Sequence, residues 1–327
     1  MKTVLTILKW TGIVIVALVA MIVAAVYLNY PPKLNEPYPN VVAVTDSAVI
    51  AHGKYLVYGP AHCAVCHGAA SRDDLETLAQ KIFTLPLSGG LEFNMPGAKI
   101  HAKNLTPDKE TGIGRYTDAE LARMIRYGVR HNNEVMFPFM SFGNVSDADL
   151  QAIISFLRSQ PAVKKEIPLD ELNFMMKGVM AFLVTPYGPK GEIAKTVVQD
   201  TTAQYGAYLA NHVAGCHDCH TNADLMTGKF IGQPYAGGQK TPDVYEDPHT
   251  WVYTPNLTPD PKTGKIYNWD KDQFIARFKK TGRTVKNSIM PWECYTSLTD
   301  NDLTAIYHYL KSLPPVYNEV KEVVVHE

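Results

Sequence analysis

The sequence predicts a mainly α-helical protein with an N-terminal apolar helix followed by two copies of one small domain. Three observations lead to this fold class. An uncharged apolar segment runs from Trp10 to Leu28, the rest of the chain repeats its features in a fixed order, and the repeated parts carry apolar residues at helical spacing. The composition, with 46% hydrophobic and 19% charged residues, is that of a globular protein. The net charge of −1 gives no reason to expect nucleic acid as a partner.

The N-terminal segment predicts a transmembrane anchor over residues 1–30. Its 19 uncharged residues cover nearly the whole hydrocarbon core at about 1.5 Å rise per residue. Two lysines precede them, which by the positive-inside rule leaves the N-terminus in the cytoplasm. A cleaved signal peptide is the alternative, but no clean A-x-A-like site precedes Pro31. We therefore expect a single-pass protein that contacts lipid through this helix, with the rest of the chain on the outer face.

The region after this segment contains the same features twice. HGKYLVYGPAHCAVCHG in the first half corresponds to YGAYLANHVAGCHDCHT in the second, and each is followed by a Gly-Gly pair. NLTPDKETG then begins at Asn104, 41 residues after Cys63, and NLTPDPKTG begins at Asn256, 40 residues after Cys216. The shared order and near-equal spacing indicate duplication of one domain.

We place domain 1 at residues 45–165 and domain 2 at residues 198–317. Residues 31–44 form a Pro-rich linker and residues 318–327 a tail. The segment between the domains, 166–197, is too apolar for a free linker, so we expect it to pack, with a short helix from Glu171 to Leu183.

Each domain is predicted to be helical, with little that is typical of strands. The first helices are expected at about 46–58 and 201–213, and middle helices at Asp118–Tyr127 and Asp270–Lys279. The last helix of each domain has a favourable N-cap, Ser146 or Thr299, with acidic residues in its first turn.

The two C-x-x-C-H motifs predict two covalent sites for haem c. Cys63 and Cys66 form the first pair and Cys216 and Cys219 the second. Cysteines three apart on a helical turn face the same side, so both thiols can form thioethers to one porphyrin. The adjacent histidine reaches the iron as the proximal ligand; these histidines are His67 and His220. A zinc site or redox dithiol is the alternative, but zinc needs further ligands at suitable spacing, and Cys294 is the only other cysteine.

Methionines are the candidates for the second axial position on each iron. Met290 precedes a proline in a predicted loop of the second domain. In the first domain Met136 and Met140 compete, and their spacing to the flanking motifs slightly favours Met136. Cys294 is expected to be a small buried residue, with iron ligation as the less favoured role.

These features together resemble the class I cytochrome c modules of bacterial membrane-bound cytochromes. The string NLTPDKETGIGRYTDAELARMIRYGVR is similar to the cytochrome subunits of periplasmic alcohol and gluconate dehydrogenases, which usually carry three haem motifs rather than two. The resemblance implies two tandem class I cytochrome c-like domains and aligns Met140 as the ligand of the first iron. Ser141 then stands where related copies have proline. It also implies that the first and last helices of each domain cross; the residues expected at the crossings are Tyr55, Leu56, Phe156 and Leu157, and Tyr208, Leu209, Tyr309 and Leu310.

The expected function is electron transfer by two haems at the periplasmic face of the bacterial cytoplasmic membrane, as part of a respiratory chain. Expected redox partners are a quinol-oxidising complex, a terminal oxidase or a dehydrogenase. The alternatives are a dedicated cytochrome subunit of a periplasmic dehydrogenase and, as an enzyme, a di-haem peroxidase with one open iron position. No nucleotide-binding loop, nucleophile triad or acid pair suggests independent catalysis.

Overall fold

The computed structural model describes residues 2–68, 80–140, 142–184, 188–224, 229–243, 247, 249–320 and 322–326. Its first element is a long apolar helix, α1, at Lys2–Asn29. Among the described residues this helix is the one long and apolar enough to cross a membrane, a property that signal sequences share. Most of its side chains are exposed, while Val26 near its C-terminal end is buried.

The remainder of the described chain is built from two similar sets of helices. In the first half, the helices are α2 (Ser47–Tyr58), α3 (Cys63–His67), α4 (Asp118–Tyr127) and α5 (Asp147–Ser159), with 3₁₀ turns at Ile82–Thr84 and Ile113–Arg115. Helix α6 (Phe174–Phe182) follows. The second half has α7 (Ala203–Tyr208), α8 (Cys216–His220), α9 (Lys271–Ala276), α10 (Trp292–Tyr295) and α11 (Asp300–Ser312), with π-helical turns at Leu209–Val213 and Arg277–Thr281. The prediction of a mainly helical protein with an apolar N-terminal helix is confirmed.

The helix starts follow the capping residues that the sequence indicates. The hydroxyl of Ser146 accepts a hydrogen bond from the Asp149 backbone N–H at 3.1 Å. Thr299 does the same for the N–H of Asp302, also at 3.1 Å. Each cap satisfies an N–H that has no partner within its own helix. The two last helices therefore begin at the same point of the repeat.

The first and last helices of each half cross in close contact, as the resemblance implied. Helix α2 packs on α5, and α7 packs on α11. Leu56, Phe156 and Leu157 are buried at the first crossing, and Leu209 and Leu310 are buried in the second half. Buried residues of both halves join in one continuous hydrophobic core. The halves therefore share an interior, and the domain boundaries drawn from the repeat stay a prediction.

Two small antiparallel sheets were not predicted from the sequence. The first has the order β1 (Glu92–Met95), β2 (Ala98–His101), β3 (Glu171–Leu172), and the second β4 (Lys240–Pro242), β5 (Thr250–Tyr253), β6 (Val324–His326). Strands of two to four residues are too short to produce a readable alternation of polar and apolar residues. Each third strand follows the last helix of its half, so the C-terminal segment that we expected to be a tail pairs with β5.

The segment expected to be a Pro-rich linker also packs against the first half. The Leu34 N–H donates to the Asn133 carbonyl at 2.9 Å, and the Val135 N–H donates to the Pro32 carbonyl at 2.9 Å. The guanidinium of Arg123 lies 4.5 Å from the Tyr38 ring centroid. These contacts hold the segment that follows α1 against the first half, so this segment is not a flexible spacer.

Candidate functional site

Both C-x-x-C-H motifs form short helical turns that line one continuous cavity of about 2810 Å³. Cys63, Cys66, Cys216 and Cys219 all contribute to its wall. Burial raises the pKa of the Cys63 and Cys216 thiols to about 12, so both are uncharged at neutral pH. The structure thus brings the two motifs to the same space, whose wall is mainly apolar.

The histidine of each motif is held by a backbone carbonyl. His67 Nδ1 donates a hydrogen bond to the Lys103 carbonyl at 2.8 Å. His220 Nδ1 makes the same bond to the Pro255 carbonyl at 3.0 Å. With Nδ1 protonated and bound, Nε2 is the nitrogen left to ligate a metal, as is usual for histidine ligands. Burial lowers the pKa of both rings, which favours the neutral form that binds iron.

The first glycine of each Gly-Gly pair donates a backbone hydrogen bond to the motif histidine of its own copy. The Gly89 N–H donates to the His67 carbonyl at 2.9 Å, and the Gly237 N–H donates to the His220 carbonyl at 2.8 Å. Both glycines have positive φ, 70° and 71°, and a Cβ at Gly89 would lie 2.5 Å from the Ala102 carbonyl oxygen. Only glycine fits this conformation and this close approach. The repeated Gly-Gly therefore fixes the backbone that presents the histidine.

The Asn-Leu-Thr-Pro-Asp loops are held together by their own polar side chains. Asn104 Oδ1 accepts from the Thr106 N–H at 2.9 Å, while its Nδ2 donates to the Val163 carbonyl at 2.8 Å. Asn256 makes the matching bonds to Thr258 and Val316. Both amides are therefore used within the fold. The contribution of these loops to the site is the carbonyl immediately before each asparagine, which orients the histidine.

The methionine candidates of both halves line the same cavity. Met290 lies on its wall, and so do Met136 and Met140. Met136 is tied to α4 through its N–H, which donates to the Gly128 carbonyl at 2.7 Å. The geometry therefore brings all three to the cavity without choosing between the two in the first half. Ser141, the residue that stands where related copies have proline, lies outside the described residues.

An ion pair that sequence reasoning missed supports the Met290 loop. Arg283 Nε and Glu293 Oε1 lie 2.8 Å apart, and both side chains are largely buried. The same guanidinium donates to the Met290 carbonyl at 3.1 Å. Charged hydrogen bonds of this kind hold a loop more firmly than neutral ones. The only signal for this pair in the sequence was a charged residue on each side of Met290.

Tyr295 lies between the two motifs. Its hydroxyl donates to the Ala214 carbonyl at 2.6 Å, just before the second motif. Its ring meets that of His62, which precedes the first motif, edge to face at 5.8 Å. Cys294, beside it, is fully buried, as expected from the sequence. One buried side chain therefore contacts the residues leading into both histidine-bearing turns.

The choice between Met140 and Met136 is testable by single substitutions. We expect Met140→Leu to abolish the sulfur–iron charge-transfer band of one haem, because leucine has no lone pair to ligate iron. Met136→Leu is the matched control and should keep the band. The measurement is the near-infrared absorption of the oxidised protein. The reverse pattern would assign the first iron to Met136.

Comparison with known protein families assigns most of the first half of the chain to one family. Residues 50–161 match the cytochrome c family. The chain contains a cytochrome c domain. The cavity fits the group that such a domain carries, because the paired thiols and the oriented histidine of residues 63–67 lie on an apolar wall. The expected haem c is therefore confirmed for this domain, while the number of haems in the whole chain stays a prediction.

The chain is similar over most of its length to subunits of bacterial dehydrogenases. It is 30% identical over 288 residues to the cytochrome c subunit of a quinone alcohol dehydrogenase from Gluconacetobacter polyoxogenes, covering 83% of this chain and 57% of that one. It is 26% identical to the cytochrome c subunit of a gluconate 2-dehydrogenase from Pantoea cypripedii, covering 82% and 60%. A diheme cytochrome c-type protein of Cereibacter sphaeroides is 24% identical, with 78% and 82% covered. The chain spans less than two thirds of the two dehydrogenase subunits, and the resemblance to these subunits is confirmed.

Proposed function

We propose that this cytochrome binds two haem c groups and transfers electrons between redox partners at the outer face of the bacterial cytoplasmic membrane. The observation that carries the proposal is the duplicated site: both cysteine pairs line one cavity, and both histidines bind a carbonyl through Nδ1. Cys63, Cys66 and His67 would hold the first haem, and the corresponding residues of the second motif the other. A haem iron with two axial ligands supplies reversible one-electron oxidation and reduction.

A dehydrogenase is the electron donor that we propose. The relatives named as cytochrome subunits of alcohol and gluconate dehydrogenases support this assignment. A quinol-oxidising complex and a terminal oxidase are the further redox partners expected in a respiratory chain. We also propose that α1 is retained as a single-pass anchor, because 28 residues of helix suffice to span the bilayer. In this arrangement the chain is an electron carrier and the catalytic step belongs to its partner.

The haem number is tested by removing one cysteine pair at a time. We expect the intact mass of the wild-type protein to exceed that of the polypeptide by two haem groups. The double variant Cys63→Ala, Cys66→Ala should lose one, and Cys216→Ala, Cys219→Ala should lose the other, because each thioether pair holds its own porphyrin. Cys294→Ala is the matched control and should retain both. A wild-type mass with a single haem would contradict the proposal.

Carbon monoxide distinguishes a carrier from a peroxidase. Two irons with methionine in the sixth position should bind little carbon monoxide after reduction, because no coordination position is open. We expect the reduced spectrum to stay nearly unchanged on exposure to the gas. Rapid binding at one haem would instead favour the di-haem peroxidase.

A further inference from the structure

Helix α6, Phe174–Phe182, has an apolar outer face. Phe174 is 42% exposed, Met175 58% and Phe182 55%, and Leu183 just after the helix is 53% exposed. The sequence FMMKGVMAFLV contains one charged residue, Lys177. A helix on a water-exposed surface normally turns charged and polar residues outward. This face therefore has the character of a surface that is covered in the working protein.

The inner face of α6 is already occupied by the protein. Met180 is only 3% exposed, and it lines the cavity together with Met175, Met176 and Val179. The helix is thus fixed in place, with its N-terminus capped by the Asn173 side chain, which accepts from the Met176 N–H at 2.9 Å. What remains open is the outer face alone.

Helix α6 also packs directly against the C-terminal end of α1. A Cβ at Gly178 would lie 3.6 Å from Val26 Cγ2, which marks ordinary contact between the two helices. The rings of Tyr27 and Phe174 are 6.1 Å apart. The apolar outer face of α6 is therefore continuous with the apolar surface of α1.

The junction of the two helices carries the residues that mark a bilayer boundary. Lys177 Nζ lies 5.6 Å from the ring centroid of Tyr27 and 5.6 Å from that of Tyr30. Tyrosine and lysine both combine an apolar body with a polar tip and are enriched where a helix leaves the hydrocarbon core. This places α6 at the level of the lipid headgroups if α1 spans the membrane.

We propose that α6 is a second membrane contact, lying in the headgroup region of the same bilayer that α1 enters. This inference rests on the proposed retention of α1 as an anchor. Phe174, Phe182 and Leu183 would enter the outer leaflet to a depth of about 5–10 Å, which is typical of helices that lie in the interface. Because α6 also lines the cavity that both C-x-x-C-H motifs line, the contact holds this cavity close to the membrane surface.

The test uses the full-length haem-loaded protein in nanodiscs with a fluorescent label at one introduced cysteine. Three variants are compared: Phe182→Cys on α6, Val16→Cys in the middle of α1, and Val198→Cys, an exposed position outside both helices. Buried Cys294 is not accessible to the label, and the haem absorbance of each variant checks the fold. The probes are phospholipids with bromine either near the carbonyl end or near the terminal methyl of the acyl chain.

We expect the label at residue 182 to lose most of its fluorescence with shallow bromines, the label at residue 16 to respond most to deep bromines, and the label at residue 198 to respond to neither. Quenching at residue 16 without quenching at residue 182 would overturn the inference and leave the anchor intact. Loss of quenching at both, with a mass that lacks residues 1–30, would overturn the anchor as well. A label at residue 182 that is shielded from aqueous iodide but not quenched by lipid would mean that protein covers α6, which also overturns the inference.

Discussion

Gly53→Ala and Gly206→Ala are each expected to destabilise the protein by about 3 kcal/mol, the upper end of the usual range for overpacking. A Cβ at Gly53 would lie 1.9 Å from the carbonyl oxygen of Ala152, and a Cβ at Gly206 would lie 1.9 Å from that of Ala305. Both neighbours are backbone atoms of the crossing helix, so no side-chain rotation can relieve the overlap. The helices would have to separate, which would open the core that supports the haem cavity.

The measurement is thermal unfolding of the haem-loaded protein, followed by far-ultraviolet circular dichroism. A loss of about 3 kcal/mol corresponds to a decrease in Tm of about 4–5 °C for a chain of 327 residues, because the entropy of unfolding grows with chain length. Gly178→Ala is the matched control, because Gly178 is also a helical glycine but its added Cβ would lie 3.6 Å from Val26 Cγ2, an ordinary contact distance. Its Tm should be unchanged or slightly higher, since alanine is the better helix former. Equal Tm values for all three variants would mean that the helices do not cross at these glycines.

The repeat made much of this fold predictable from the sequence. Apolar spacing and caps at Ser146 and Thr299 located the last helices, because capping depends on residues close together in the chain. The helix predicted at Asp118–Tyr127 was observed with those bounds. Its counterpart beginning near residue 270 ends in a π-helical turn at Arg277–Thr281, a local widening that no pattern in the sequence indicated.

What the sequence could not give are contacts between distant segments. The roles of the Lys103 and Pro255 carbonyls were missed because every residue has a backbone carbonyl. The residue type therefore does not show which carbonyl binds the histidine. The pairing of Val324–His326 with β5 was missed because three residues are too few to establish a strand period. The motifs identified the residues of the site, and the structure showed which backbone carbonyls orient the two histidines.

Tyr55 and Tyr208 show the same limit most clearly, because each bonds to the other half of the protein. The resemblance implied that each would lie at the helix crossing of its own copy, and it said nothing of their hydroxyl groups. The Tyr208 hydroxyl donates to Asp149 Oδ2 at 2.5 Å and accepts from the Ser146 N–H at 3.0 Å. Tyr55 donates to Asp302 Oδ2 and accepts from the Thr299 N–H at 3.2 Å. The two contacts are reciprocal, so duplication produced an interface in which each copy caps the last helix of the other.

Tyr208→Phe is therefore expected to destabilise the protein by about 1.5–3 kcal/mol, the value for a hydrogen bond to a charged group. Burial raises the pKa of this phenol, so it remains a donor throughout the neutral range. Asp149 is only 9% exposed and would lose one of its donors, keeping His52 Nε2 at 2.7 Å. Tyr317→Phe is the control, because its side chain is 62% exposed and surface changes usually stay within about 0.5 kcal/mol.

Amide hydrogen exchange tests whether the two tyrosines bond across the halves or only within their own copy. Tyr208→Phe alters the second half, yet the amide of Ser146 in the first half should lose protection, because the Tyr208 hydroxyl is its acceptor. Tyr55→Phe should in turn expose the amide of Thr299 in the second half. Exchange that rises only in the half carrying the substitution would contradict the reciprocal interface. Because the last helix of each half packs on the helix that leads into its own C-x-x-C-H motif, a cap supplied by the other half makes the position of each motif depend on the folding of both.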